Sequence, residues 1–562
     1  MNIKITYNWL LEYLDTDATP EEIGKYLSLS GPSVERIDKI DDDYVFDIEI
    51  TSNRIDMASV FGIAQEAQAI LPQFGKKAKL RFNPLEKYTF DNLKAEPVPN
   101  GKKLDIEIDK NLCQRFTAII FSNVQINPSS EHIKKRLEMV DIKSINNVID
   151  ISNYLMVSLG QPTHMFDYDK IEGGKMILRE SKKGEKLQTL DDKEFELPGG
   201  DIVIEDSSGR LIDLCGIMGG LNSSITNGTN NVVFFIQTYD KRKIRKTSMT
   251  TGQRTMAATY FEKGLDPERV ETTLVYGVDL LNELTGGIVE SELYDIYPNP
   301  AKEKHITVSF KDIRHVMGIE IKEETIIDIL ERLGFKTQKE DDTLKVTIPS
   351  YRHDDVHIKE DIIEEVARVY GYYNLPNNIA PLVYIQQPKE IEHRLDVMKK
   401  TKYFLKHLGL HESVNYSMIS GETIAALDLN LADHLKLANT ISTEIEYMRR
   451  SLLPSLVVNQ KQNYGKKEIL RFFEIANIYI PRTNDLPEEQ YKLGISINTS
   501  FADLKGIIEA LLQELHIRNV VFGKGEHELF TKNEQVKLVN IETKEIVGYF
   551  GKLRRSLQEN IN

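Results

Sequence analysis

Residues 349–376, PSYRHDDVHIKEDIIEEVARVYGYYNLP, gather Asp355, Asp361, Glu364 and Glu365 at the start of a helical pattern. With Asp361 opening a helix, Glu364 and Glu365 follow at i+3 and i+4 on the same face. Asp355, on the incoming loop, can turn back toward that face. Two bare carboxylates about 4 Å apart repel by roughly 1 kcal/mol in water and about 4 kcal/mol at an effective dielectric of 20. A hard cation with oxygen ligands would remove that cost. The same residues also suit a helix start. Asp361-Ile362-Ile363-Glu364 reads as a capping box, and each acidic group near a helix N-terminus stabilises by about 0.3–1 kcal/mol. Capping accounts for Asp361 and Glu364, less well for Glu365, and hardly at all for Asp355. Spacing alone leaves both readings open.

The elements around this segment predict a compact α+β unit over 304–378. A strand (306–310) precedes a helix carrying Ile313, Val316 and Met317. Glu323-Glu324 opens a second helix that Gly334 closes, and strand 343–348 ends at Pro349. Upstream, residues 1–40 read as an amphipathic helical start, with Thr19 as N-cap and Pro20 in the first turn. Residues 44–50 alternate as a strand, and a helix follows over about 56–71. Strands are expected over 103–125, a helix at 129–140, and mixed short strands over 145–300 closed by a helix at 266–285. Pro298 and Pro300 bracket a linker, and Pro376 and Pro381 mark a second boundary. Residues 386–562 alternate helices (390–407, 450–462, 502–515) with hairpin-like strands. That pattern predicts an antiparallel sheet flanked by helices.

A chain of 562 residues suggests three to five domains. Hydrophobic content of 41% and charged content of 28% are those of a globular protein. Only Cys113 and Cys215 are present, which excludes a disulfide framework and any zinc spacing. The N-terminus is not a signal peptide and no apolar run is long enough to span a membrane, so a cytoplasmic setting is expected. The net charge of −15 repels polyanions at long range, so RNA binding would need local basic patches. The candidates are Lys241-Arg242-Lys243 with Arg245-Lys246, and Lys399-Lys400 with Lys402. P-loop, dinucleotide-binding, nucleophile-elbow and His-Glu-x-x-His signatures are missing.

Arg352, Asp354-Asp355, Asp361, Glu364-Glu365, Arg368, Tyr370-Gly371-Tyr372 and Pro376 together resemble a signature of the bacterial-type phenylalanine–tRNA ligase beta subunits. The similarity runs along nearly the whole chain. It includes Phe46–Asp56, Asn146–Tyr154, Gly160–Asp167, Gly216–Gly220, Phe261–Glu268, Met448–Pro454, Phe472–Ala476, Leu504–Glu509 and Ile546–Leu553. The resemblance implies an α+β multidomain chain. Residues 1–140 would form an N-terminal α+β region lacking the family's usual tRNA-binding insertion. Residues 141–300 would form an editing-like α/β domain. Residues 301–380 would form a small winged-helix-like α+β domain with the carboxylates. Residues 381–562 would form a class II synthetase-like antiparallel sheet domain without an active site. The family's C-terminal anticodon-binding domain is expected to be absent or truncated.

The resemblance further implies Mg²⁺ on Asp355, Asp361, Glu364 and Glu365, with Asp354 the rival for the first ligand. It implies an aminoacyl-tRNA ligase of two alpha and two beta chains. ATP, phenylalanine and tRNA would be used at the alpha site, no aminoacylation residue would lie on this chain, and no membrane would be involved. His164 matches a histidine of the family's editing pocket. Leu221 stands where the family commonly has Glu, which removes a group able to hold a water. Two other readings stand beside this one: a non-enzymatic RNA-binding or scaffold protein derived from that subunit, and a free-standing editing hydrolase using the His164 region.

Overall fold

The computed structural model describes residues 1–93, 101–378 and 386–561. The chain divides into two units, Met1–Ile379 and Ala380–Asn562. The Pro376–Pro381 boundary expected from sequence falls at that division.

Residues 1–40 are not mainly helical. Asn2–Thr6 and Ser33–Ile40 are strands on either side of Asp43–Glu49 in a three-stranded antiparallel sheet. Asn2–Thr6 alternates, burying Ile3 and Ile5, a period of two that a helical reading of the whole stretch overrides. Thr19 does cap the helix Pro20–Ser30, in a reciprocal capping box with Glu22. The next helix, Val60–Ile70, is buried along nearly all of its length. Its Gly62 packs so tightly on the preceding turn Ile55–Met57 that a Cβ there would sit 2.2 Å from the Asp56 carbonyl oxygen. The single tryptophan, Trp9, lies in this core, stacked on Tyr154 at 4.8 Å between ring centroids.

The middle of the first unit holds two five-stranded sheets. In one, Asp105–Ile108 pairs in parallel with Lys175–Glu180. In the other, Cys113–Ser122 pairs antiparallel with Val232–Tyr239, which also pairs with His164–Asp167. The strands at 105–122 therefore belong to the middle domain, whose expected start at 141 cuts through both sheets. Asn147–Leu159 is a helix that the sequence reading passed over. Its polar residues are spread around the helix, with Asn147, Asp150 and Ser158 buried, so it lacks the single polar face that marks a surface helix. Arg269–Thr285 is the expected closing helix.

Residues 304–378 form the small domain. Strands Lys304–Ser309 and Lys336–Glu340 flank Thr343–Ile348, with helices Phe310–Met317, Glu323–Arg332 and Lys359–Tyr370 packed on them. Ile326, Ile329, Ile362, Val366 and Val369 join one continuous apolar core with Ile63, Ala67 and Ile70 of the N-terminal region. The small domain is thus seated on the Val60–Ile70 helix.

The second unit carries two three-stranded sheets. One pairs Arg471–Ile480 antiparallel with Glu488–Ile497, and a short parallel strand, His411–Glu412, lies on its edge. The other is the meander Val520–Lys524, Phe530–Asn540, Ile546–Leu553. Helices Lys389–His407, Leu453–Asn463 and Phe501–Glu514 accompany them. Among the described residues no helix is long and apolar enough to cross a membrane.

Candidate functional site

The helix that carries the carboxylates begins at Lys359, so Asp361 is its third residue and not its opening one. Asp361 Oδ2 accepts from the backbone N–H groups of His357 (2.6 Å) and Ile358 (2.9 Å). This is the back-reaching half of a capping box. Glu364 and Glu365 are consecutive, about 100° apart around a helix of 3.6 residues per turn. That step is enough to separate them: Glu364 is exposed and Glu365 is buried.

Around Glu365 the chain builds a buried network of ion pairs. Arg352 Nη2 donates to Glu365 Oε1 at 2.8 Å, and its Nε and Nη2 hold both oxygens of Asp355 at 3.0 Å. Arg368 donates to Glu365 Oε2 at 2.5 Å and to both oxygens of Glu66, at 2.7 and 3.1 Å. Glu66 also accepts from Arg54 at 2.5 Å, and Arg54 grips Asp56 through two bonds of 3.0 and 2.9 Å. Arg54, Asp56, Glu66, Arg352, Glu365 and Arg368 are all buried. Burial alone would push the Glu365 carboxyl up, but the Arg368 and Arg352 guanidiniums hold it well below the usual range. Glu66, desolvated in the same way, is held down by Arg368 and Arg54.

The four sequence candidates for Mg²⁺ therefore do not converge. Glu365 and Asp355 spend their oxygens on arginines, Asp361 spends one on the helix start, and Glu364 lies exposed on the surface. Asp354, the rival ligand, is exposed and paired with Lys241 at 2.6 Å. Among the described residues no three His, Cys, Asp or Glu side chains are grouped to hold a metal ion. The arginines that neutralise Asp355 and Glu365, Arg352 and Arg368, stand in the same stretch of sequence; Glu66 and Arg54, which join the network through Arg368, lie some three hundred residues upstream. A local signal did exist: Arg352/Asp355 and Glu365/Arg368 are both i,i+3 pairs. Asp361→Ala is expected to cost about 1 kcal/mol, the worth of a cap. Glu364→Ala should stay within about 0.5 kcal/mol. Urea unfolding of the two variants checks the contrast.

His164 opens the strand His164–Asp167, opposite Phe235. Its ring stands edge-on to Phe166 at 4.4 Å and lies against Gly219, where a Cβ would be 2.4 Å from His164 Cε1. Gly219 is thus required by the ring. Burial lowers the His164 pKa to about 4, so the imidazole is neutral at neutral pH. Leu221, just beyond, is exposed and opens the short turn Leu221–Ser223. The pocket candidate is a neutral ring beside Gly219 and Phe166, with no carboxylate bonded to it among the described residues.

The basic candidates are largely paired. Lys241 and Lys243 bind Asp354 and Glu180, each at 2.6 Å, and Arg245 faces Glu262 at 3.8 Å. Lys400 and Lys402 bind Asp396 and Glu412 at 2.7 and 2.5 Å. In the second unit Arg449 and Glu474, both from quoted sequence blocks, form a buried pair at 2.7 Å, and Asn415 donates to the same carboxylate at 2.9 Å. That unit also exposes large apolar residues: Val414 at 91%, Ile441 at 97% and Tyr464 at 83%.

Three family models match along the chain: the B3/4 domain over residues 112–286, the tRNA synthetase B5 domain over 306–372, and the phenylalanyl tRNA synthetase beta chain CLM domain over 381–562. The B3/4 match begins ahead of residue 141, as the sheet pairings do. This order of domains defines a chain of the aminoacyl-tRNA synthetase class. Phenylalanine–tRNA ligase beta subunits from Clostridium tetani, Clostridium acetobutylicum and Carboxydothermus hydrogenoformans are 35%, 32% and 33% identical to it, over 92%, 92% and 94% of this chain. Over most of its length the chain is similar to phenylalanine–tRNA ligase beta subunits. It spans 65%, 65% and 66% of the length of those relatives.

Proposed function

We propose that this chain works as the beta subunit of phenylalanine–tRNA ligase, supporting ATP-dependent attachment of phenylalanine to its tRNA by an alpha chain in a two-alpha, two-beta assembly. What carries the reading is the ordered run of three family domains over most of the chain. The second unit adds physical support. Val414, Ile441 and Tyr464 are apolar side chains left exposed there, and a partner surface would gather such residues into one patch. The aminoacylation chemistry belongs to the alpha chain, where Mg²⁺ would accompany ATP and offset phosphate charge. This chain's own residues build the scaffold and the partner surface. On the carboxylate helix, Asp361 and Glu364 are the two outward candidates left to meet a cation.

His164 supplies the editing candidate. A neutral imidazole can orient a water or a hydroxyl through a hydrogen bond. Leu221 offers no carboxylate to share that task, so editing of Tyr-tRNA takes second place to the scaffold role.

Alpha chain alone is expected to charge tRNA with phenylalanine poorly, and adding this chain should restore the rate. Steady-state aminoacylation with and without it is the measurement; full charging by alpha alone would sink the reading.

A further inference from the structure

Four carboxylates, those of Asp56, Glu66, Asp355 and Glu365, face four guanidiniums, those of Arg54, Arg269, Arg352 and Arg368. Both oxygens of Glu365 accept guanidinium N–H groups, as do both oxygens of Glu66 and of Asp355. Arg269 is buried, stacks on Tyr351, and donates from Nη1 to the backbone oxygens of Asp56 (3.1 Å) and Leu159 (3.4 Å). Its Nε and Nη2 are buried with no acceptor among the described residues. A site short of positive charge would show the reverse, oxygens without donors. A magnesium ion demands near-octahedral oxygen ligands at about 2.0–2.1 Å and gives up water reluctantly. Seating it on Glu365 would require displacing both guanidiniums and would add two positive charges beside them.

We propose that arginines, not a divalent cation, neutralise Asp355 and Glu365, and that this arginine-closed junction fixes the seating of the 304–378 domain on the N-terminal region. The apolar contact between the two would tolerate a slide of the helices. The charge pairs do not, because displacing one segment leaves buried ions unpaired. Arg352 and Arg368 are positioning residues in this scheme, and Asp355 and Glu365 are not metal ligands.

The test uses the full chain. Thermal unfolding is followed in excess EDTA and in millimolar Mg²⁺, for the native chain, Glu365→Gln and Arg352→Lys. The expected result is one native midpoint in both buffers. Both variants should fall by several degrees, equally in EDTA and Mg²⁺. Arg352→Lys keeps the charge but loses the two-pronged grip on Asp355 and Glu365. A native midpoint that rises saturably with Mg²⁺, with that rise lost in Glu365→Gln, would overturn the proposal. A Mg²⁺ rise that persists in Glu365→Gln upholds it, since the ion then sits elsewhere. Should Glu365→Gln fail to fold, Arg352→Lys decides: an unchanged midpoint in EDTA counts against the junction.

Discussion

Arg368→Met should lower the unfolding free energy of the Met1–Ile379 unit by about 3–5 kcal/mol, the cost of stranding buried charge by removing its partner. One guanidinium serves two carboxylates here. Arg368 bridges Glu66 and Glu365 and also donates to the Ser30 carbonyl at 3.2 Å. Without it, Glu66 keeps only Arg54 and Glu365 keeps only Arg352, and the two acids repel across a site of low dielectric. The apolar replacement fills volume but leaves the Ser30 oxygen short of a donor. Urea unfolding followed by the fluorescence of Trp9, buried in the same unit, reads the loss. A surface pair is the control: Lys186→Ala breaks the exposed contact with Glu194 and should move stability by no more than about 0.5 kcal/mol. A change as small in Arg368→Met would mean that the network has little stabilising role.

Asp213→Asn is expected to stabilise the protein, and by an amount that depends on pH. Asp213 is buried on the strand Leu211–Leu214, with the Cys215 thiol as the neighbour it bonds to, and burial pushes its pKa up to about 7. The unfolded chain gives up this proton near the ordinary Asp value, whereas the folded chain keeps it until near neutrality. Between those two points the folded state holds the extra proton, so stability falls as pH rises and levels off above about 7. A shift of about three pH units corresponds to roughly 4 kcal/mol as an upper bound. An amide of the same shape never ionises. The variant should match the native chain near pH 4 and exceed it most above pH 7. His164 works in the other direction, losing stability as pH falls from its ordinary value toward about 4. The difference between native and variant melting curves across pH cancels that contribution. A flat difference would show that Asp213 is not held protonated.

Much of the small domain was legible. Thr343–Ile348 alternates buried and half-buried residues, which matches the strand its sequence predicts at the same bounds. Lys336–Glu340, sequence KTQKE, has no apolar residue and lies on the sheet edge. Its strand state comes from pairing with Thr343–Ile348, which no local pattern reveals. The same limit governed the carboxylates. Their density was readable, but the capping box is Asp361 reaching back to His357 and Ile358 rather than Asp361 with Glu364, and the two arginines that meet Glu365 lie in the same stretch. What no local pattern reveals is that Arg368 is shared with Glu66, which sits with Arg54 in a helix and turn of the N-terminal core. The one-residue step from Glu364 to Glu365 was readable too, and it separates an exposed acid from a buried one. For His164, the Gly219-Gly220 pair reads as a turn, but Gly219 ends the strand Met218–Gly219 and Gly220 bridges to Thr189. That Gly219 makes room for an imidazole depends on the fold bringing it against His164 of the strand His164–Asp167.

The close packing at Gly62 bears on how this protein could be recombined with its relatives. The backbone of Asp56 rests where any side chain at position 62 would go, so the turn bearing Arg54 and Asp56 and the helix bearing Glu66 form a single inheritable block. A chimera that imports residues 304–378 from a cousin would bring its own Arg352, Glu365 and Arg368 equivalents to a host block they were never matched to. Grafts that carry 54–66 along with that domain should express as soluble protein, and those that split the pair should not.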